Sequence, residues 1–128
     1  MTEALLHAPL ALMNNETWVF CQIVNNQTTA NILYRDQQVT AFRDAHPVGP
    51  THLLIVPNKH IESLNDIQVE EEDLIGYMLA VARKLAAKEG VDKSGYRLVV
   101  NTRADAGQTV DHLHLHLIGG RRMHWPPG

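Results

Sequence analysis

Residues 112 to 116 read His-Leu-His-Leu-His, and Leu117 and Ile118 continue the run. Side chains on a β-strand alternate faces. The pattern therefore predicts a strand over Val110 to Ile118, with His112, His114 and His116 on one face and Leu113, Leu115 and Leu117 on the other. Same-face neighbours on a strand lie roughly 6.5 to 7 Å apart, near enough to hold one phosphate or one metal ion between them. Imidazole combines donor, acceptor and a titration near neutrality. Three in register mark a site rather than a wet strand face.

The surrounding chain predicts what the leucine face packs against. From Glu70 to Glu89, Leu74, Met78, Val81, Ala82 and Leu85 recur at three-four spacing, with acidic residues Glu70 to Asp73 at the positive end and Gly90 as the stop. That is a long amphipathic helix. Asn31 to Tyr34 and Val39 to Phe42 flank a polar turn and read as a hairpin, His52 to Val56 as a short strand closed by Pro57, and Tyr96 to Asn101 as a strand joined to the histidine strand by a loop containing Gly107. Thr17 is placed to cap a short apolar helix from Trp18 to Val24. The order hairpin, strand, long helix, hairpin predicts an α+β domain, a mostly antiparallel sheet with helices packed on one side and the histidine face left for a ligand.

With 128 residues and 45% hydrophobic content, the chain suits a single core. Residues 1 to 15 read as a variable arm and 16 to 128 as the domain. A net charge of −3 offers no basic field for a polynucleotide, though a mononucleotide is compatible with it. The lone cysteine, Cys21, excludes an internal disulfide and any multi-cysteine zinc cluster and fits a reducing, cytoplasmic setting. No apolar run approaches a membrane span.

Two chemistries suit a row of imidazoles. Three histidines can hold a zinc ion with an open fourth position; the only carboxylates evident near the strand are Asp105 and Asp111, and Asp111 points to the opposite face. Alternatively, a neutral imidazole attacks phosphorus directly, since it needs no deprotonation, while its neighbours donate hydrogen bonds to phosphoryl oxygens. The middle residue, His114, is then the natural nucleophile, with Gly107, Gln108 and Thr109 just upstream as phosphate-approaching groups.

The run HLHLHLI, together with FRDAHPVGPTHLLIVPNKHI, YRLVVN, AGQTVDHLHLHLIGG and the ending GGRRMHWPPG, resembles the histidine triad (HIT) superfamily and its Hint branch, from about Phe20 to Gly128. The resemblance implies a homodimeric purine nucleoside phosphoramidase acting without a cofactor on adenosine or guanosine 5′-phosphoramidates. It implies His114 as the nucleophile forming a nucleotidyl-histidine, His112 as its orienting neighbour through the main-chain carbonyl, His116 on the phosphate, and His52 as a fourth site histidine. Asp44 would bind the ribose hydroxyls and Phe20, Ile23 and Phe42 the base. Asn101, Gln108 and Thr109 would surround the phosphate and leaving amine, and Trp125 would reach the partner subunit's site. Thr109 stands where serine is common in this branch, and Arg43, Ala45 and His46 flank or neighbour Asp44 where its choice of base is set.

Several residues also have a plainer alternative reading. His60 starts or caps a helix, His7 and His124 are exposed, Cys21 is a small buried hydrophobe, and Asp44 caps a turn. Dinucleotide polyphosphate hydrolysis and a non-catalytic nucleotide-binding or scaffolding role are the competing functions.

Overall fold

The computed structural model describes residues 15–128, with side chains from Trp18 onward. The expectations for the N-terminal arm and His7 lie outside these residues. Five strands form one fully antiparallel sheet: β1 (Ile32–Arg35), β2 (Val39–Arg43), β3 (Thr51–Pro57), β4 (Tyr96–Val99) and β5 (Leu115–Gly119), in the order β1-β2-β3-β5-β4. Among the described residues two α-helices accompany it, α1 (Asn15–Val24) and α2 (Glu72–Lys88).

Alternation along the central strands sorts their side chains into two layers. Val39, Ala41, Leu53, Ile55, Leu115 and Leu117 pack with Met78, Val81, Ala82 and Leu85 of α2. Phe42, Leu54 and Val56 face the other way, against Phe20 and Ile23 of α1. The expectation that the helices share one side is therefore corrected. β3 is buried on both faces along its whole length, and its second apolar face needs its own cover, which α1 supplies.

Helix boundaries shift for local reasons. α1 already includes Asn15, so Thr17 lies within the helix rather than capping it; polar and acidic residues suit the positive first turn. The long helix starts at Glu72 because Gln68 and Glu71 close a capping box first, leaving Val69–Glu71 as a 3₁₀ turn.

The histidine strand is shorter than its pattern predicts. Ladder pairing of β5 with β3 runs from Thr51↔Gly119 to Ile55↔Leu115 and stops. The next positions bring Leu113 towards Pro57, which has no N–H to donate. The Leu113 N–H turns instead to the Ile61 carbonyl at 2.6 Å. His112 and His114 therefore sit on an irregular lead-in, and only His116 lies in the strand.

Candidate active site

On β5, His116 pairs with Leu54 of β3 and Val99 of β4, which puts it on the α1 face of the sheet. The lead-in keeps His114 beside it, with ring centroids 4.9 Å apart, and the edge of Phe20 packs on His114 at 5.1 Å.

Hydrogen bonds assign a tautomer to each imidazole. The Val48 N–H donates to His52 Nδ1 at 3.1 Å, so the His52 proton sits on Nε2, which donates to His116 Nδ1 at 2.9 Å. His116 in turn carries its proton on Nε2. His114 Nδ1–H donates to the His112 carbonyl at 2.7 Å, leaving His114 Nε2 with its lone pair. His112 Nε2–H donates to the Pro57 carbonyl at 2.9 Å, so the peptide that orients His114 is itself held in place.

Burial keeps these rings neutral. It pushes His112 and His116 down to about 4 and lowers His114 and His52 below the usual imidazole range. The Asp44 carboxylate, 3.4 Å from His52 Nε2, pulls His52, His114 and His116 the other way without overcoming desolvation.

His114 and His116 form one wall of a cavity of about 660 Å³, within the range that takes a nucleotide-sized ligand. Phe20, Ile23 and Phe42 give it an apolar end. Asp44, Ala45, His46, Asn101, Gly107 and Thr109 line it as well. Asp44 serves two roles at once: Oδ1 accepts the His46 N–H at 2.7 Å as an ordinary turn cap, and the carboxylate still faces the cavity. Arg43 is held by paired hydrogen bonds to Glu89 at the end of α2, which anchors the strand end carrying Asp44.

Several residues sit elsewhere than the sequence suggested. His112 is fully buried behind the row and does not line the cavity. Gln108 does not line it either; its amide donates to the Glu62 and Val110 carbonyls and accepts the Arg103 N–H. Trp125 is 83% exposed and stands clear of its own chain's cavity. His52 acts from behind His116. Thr29, Ala30, Asn31 and Leu54 line the cavity and were missed, because nothing in their local pattern distinguishes them from loop or core. The carboxylate beside the histidines is Asp44, some seventy residues away in sequence, rather than Asp105 or Asp111.

His60 and Cys21 are not the bystanders their local context implied. Cys21 Sγ lies 3.1 Å from His60 Nδ1 and 3.5 Å from His112 Nδ1, and the two imidazole Nδ1 atoms are 3.2 Å apart. Trp18 stacks on His60 at 5.6 Å. Among the described residues two donor sets are thus compact enough to surround a metal ion: Cys21, His60 and His112, and Asp44, His52 and His116. An ion in the second would displace the hydrogen bond between His52 and His116. In the first, burial raises the Cys21 thiol, which works against the thiolate a metal needs. None of the first set lines the cavity.

A family model for the HIT domain matches residues 25–123. A purine nucleoside phosphoramidase of Escherichia coli K12 is 46% identical over 108 residues, covering 84% of this chain and 91% of the relative. The crystal structure of a HIT family hydrolase from Legionella pneumophila superposes with a TM-score of 0.84 at 47% identity, covering 86% of this chain and 98% of that one. A zinc-bound histidine triad family protein from Mycobacterium smegmatis superposes with a TM-score of 0.70 at 32% identity, over 80% of this chain and 74% of that one.

Proposed function

The chain belongs to the HIT domain family, and from that premise we propose that it is a purine nucleoside phosphoramidase that hydrolyses adenosine or guanosine 5′-phosphoramidates without a metal. One observation carries the reading. His114 Nδ1–H is committed to the His112 carbonyl, which leaves an unprotonated Nε2 on a cavity-lining imidazole that burial holds neutral.

In this reading the His114 Nε2 lone pair attacks phosphorus and the P–N bond to the amine breaks. The amine leaves with a proton from water, and a nucleotidyl-histidine remains. Water then attacks phosphorus, giving up a proton to the hydroxide left when the amine was protonated, the bond to His114 breaks, and the nucleoside monophosphate is released. His116 Nε2–H and the Thr109 hydroxyl supply hydrogen bonds to the phosphoryl oxygens, whose charge grows in the transition state. His112 and His52 hold the two working imidazoles from behind. Asp44 accepts the ribose hydroxyls, and Phe20, Ile23 and Phe42 sandwich the purine without reading its edge. The name of the Escherichia coli relative supports the substrate class. We also assign residues 16 to 128 to the one domain, a cytoplasmic setting, and a homodimer in which Trp125 reaches the partner's cavity.

The decisive experiment replaces His114 with alanine. Turnover of an adenosine phosphoramidate should fall by about three orders of magnitude or more while AMP still binds, since the nucleophile and the binding groups are different residues. Turnover at the wild-type rate would refute the mechanism. Treating the wild-type enzyme with EDTA should leave the rate unchanged; loss of activity with stoichiometric zinc in the purified protein would favour the metal reading. Faster turnover of a diadenosine polyphosphate than of any phosphoramidate would move the enzyme to the dinucleotide class. AMP binding with no turnover at all would make it a binding module.

A further inference from the structure

Arg103 adopts φ 69° and ψ −175°, a backbone conformation essentially reserved for glycine. A side chain at such a position needs a reason to be there, and this one has partners. Arg103 Nε donates to Ser63 Oγ at 3.3 Å, and one terminal nitrogen donates to both Asp66 carboxylate oxygens at 3.1 and 3.2 Å. Ser63 is only 1% exposed, and its hydroxyl donates to Asp66 Oδ2 at 2.6 Å while accepting the Asn65 N–H at 3.2 Å. An exposed ion pair alone holds little, but here the guanidinium reaches over the ion pair to a buried hydroxyl.

The backbone of Arg103 is tied just as firmly to the loop that follows. Its N–H donates to the Gln108 side-chain oxygen at 2.8 Å, and its carbonyl accepts the Ala106 and Gln108 N–H groups, each at 3.2 Å. Asn101, Gly107 and Thr109, which line the cavity together with His114 and His116, flank these anchors. We infer that Ser63, Asp66 and Arg103 form a clamp, outside the cavity, that fixes the 101–110 loop so that Thr109 and Asn101 meet the transferring group. These are positioning residues, and the inference rests on the phosphoramidase reading only for what the loop is positioned to do.

Arg103→Gly separates this role from a structural one, because glycine is at ease in this conformation. The variant should melt no lower than the wild type, lose about ten- to hundredfold in kcat, the scale expected when a reacting geometry loosens, and change KM by less than about threefold. Asp66→Ala should give the same loss, and Arg103→Gly with Asp66→Ala no more than either alone. The loss should also shrink when Thr109 is already alanine. Unchanged kcat in Arg103→Gly, or losses that multiply fully with Thr109→Ala, would overturn the clamp. If the wild type turns over no phosphoramidate, the functional reading fails by itself. The clamp is then decided by amide hydrogen exchange at residues 104–109, where faster exchange in Arg103→Gly supports it and unchanged exchange overturns it.

Discussion

His112 does its work by being the least solvated histidine of the row. With its ring fully buried and Nε2–H on the Pro57 carbonyl, its pKa falls to about 4, mainly by desolvation. As pH drops through about 6.5 the unfolded chain takes up a proton at this position while the folded chain does not, so stability present above that pH is lost between about 6.5 and 4. His112 alone accounts for a loss on the order of 3 kcal/mol across that window. Urea unfolding at pH 7 and pH 4.5 should show the fall, and His112→Gln, which keeps a donor for the Pro57 carbonyl, should reduce it without abolishing it, because His116 is pushed down to about 4 as well. An unaltered pH slope in that variant would show that His112 is not the group responsible. The same side chain marks what could be read from sequence at this scale. The five-residue alternation displayed His114 and His116 directly, because their spacing is local. That His112 faces Cys21 and His60 rather than the cavity depends on where the β3 ladder runs out, and the alternation carries no signal of that. Gln108 was misplaced for a related reason: a polar residue beside a glycine loop is equally suited to bonding phosphate or the loop's own backbone, and this one bonds the backbone.

Among the elements, α2 and the central strands were legible because burial writes a period into them. Leu74, Met78, Val81, Ala82 and Leu85 keep helical spacing, and Leu113, Leu115 and Leu117 keep strand spacing; all eight join or flank the same core. α1 was legible as apolar but not as a cover for the opposite face, since a short helix with Phe20, Ile23 and Val24 gives no sign of which layer it joins. The two faces should therefore respond differently to truncation. Leu117, fully buried against Leu53 and Leu98, belongs to the α2 side; Leu117→Ala should cost about 2 to 5 kcal/mol in urea unfolding. Phe20 packs on Phe42 at 5.4 Å and on His114 at 5.1 Å while lining the cavity. Phe20→Ala should raise the KM for a purine phosphoramidate by about tenfold or more, the weight of one lost aromatic contact surface. If the KM stays put and only stability falls, α1 is packing and not part of the base slot.

At the scale of the whole molecule the sheet has two edges, and they are not equivalent. β1 is broken by a register shift between Ile32 and Tyr34, and Arg35 reaches across to the Ile23 carbonyl and the Asn26 side chain at the end of α1. Bulges and charged residues of this kind protect an edge from pairing with another chain. β4, at the other end, is a regular four-residue strand leading to Val100, which is 36% exposed. Leu79 on α2, 44% exposed, and Trp125 add apolar surface that a single chain leaves in water. The free backbone groups of this edge strand and the exposed apolar side chains are expected to find a partner, and among homo-oligomers two-fold symmetry is the commonest solution. Sedimentation equilibrium at micromolar concentration should therefore return twice the mass of the chain. A monomer at all concentrations would refute the homodimer. In the proposed dimer Trp125 becomes a functional matter: because it stands clear of its own cavity, Trp125→Ala should alter the preference among amine leaving groups while leaving AMP affinity within about twofold. Mixed dimers carrying His114→Ala on one subunit and Trp125→Ala on the other then place the effect. If Trp125 serves the partner, the one working site in that dimer receives an intact indole and keeps wild-type selectivity, whereas placing both substitutions on the same subunit of a mixed dimer leaves the only working nucleophile without the partner's indole and changes it.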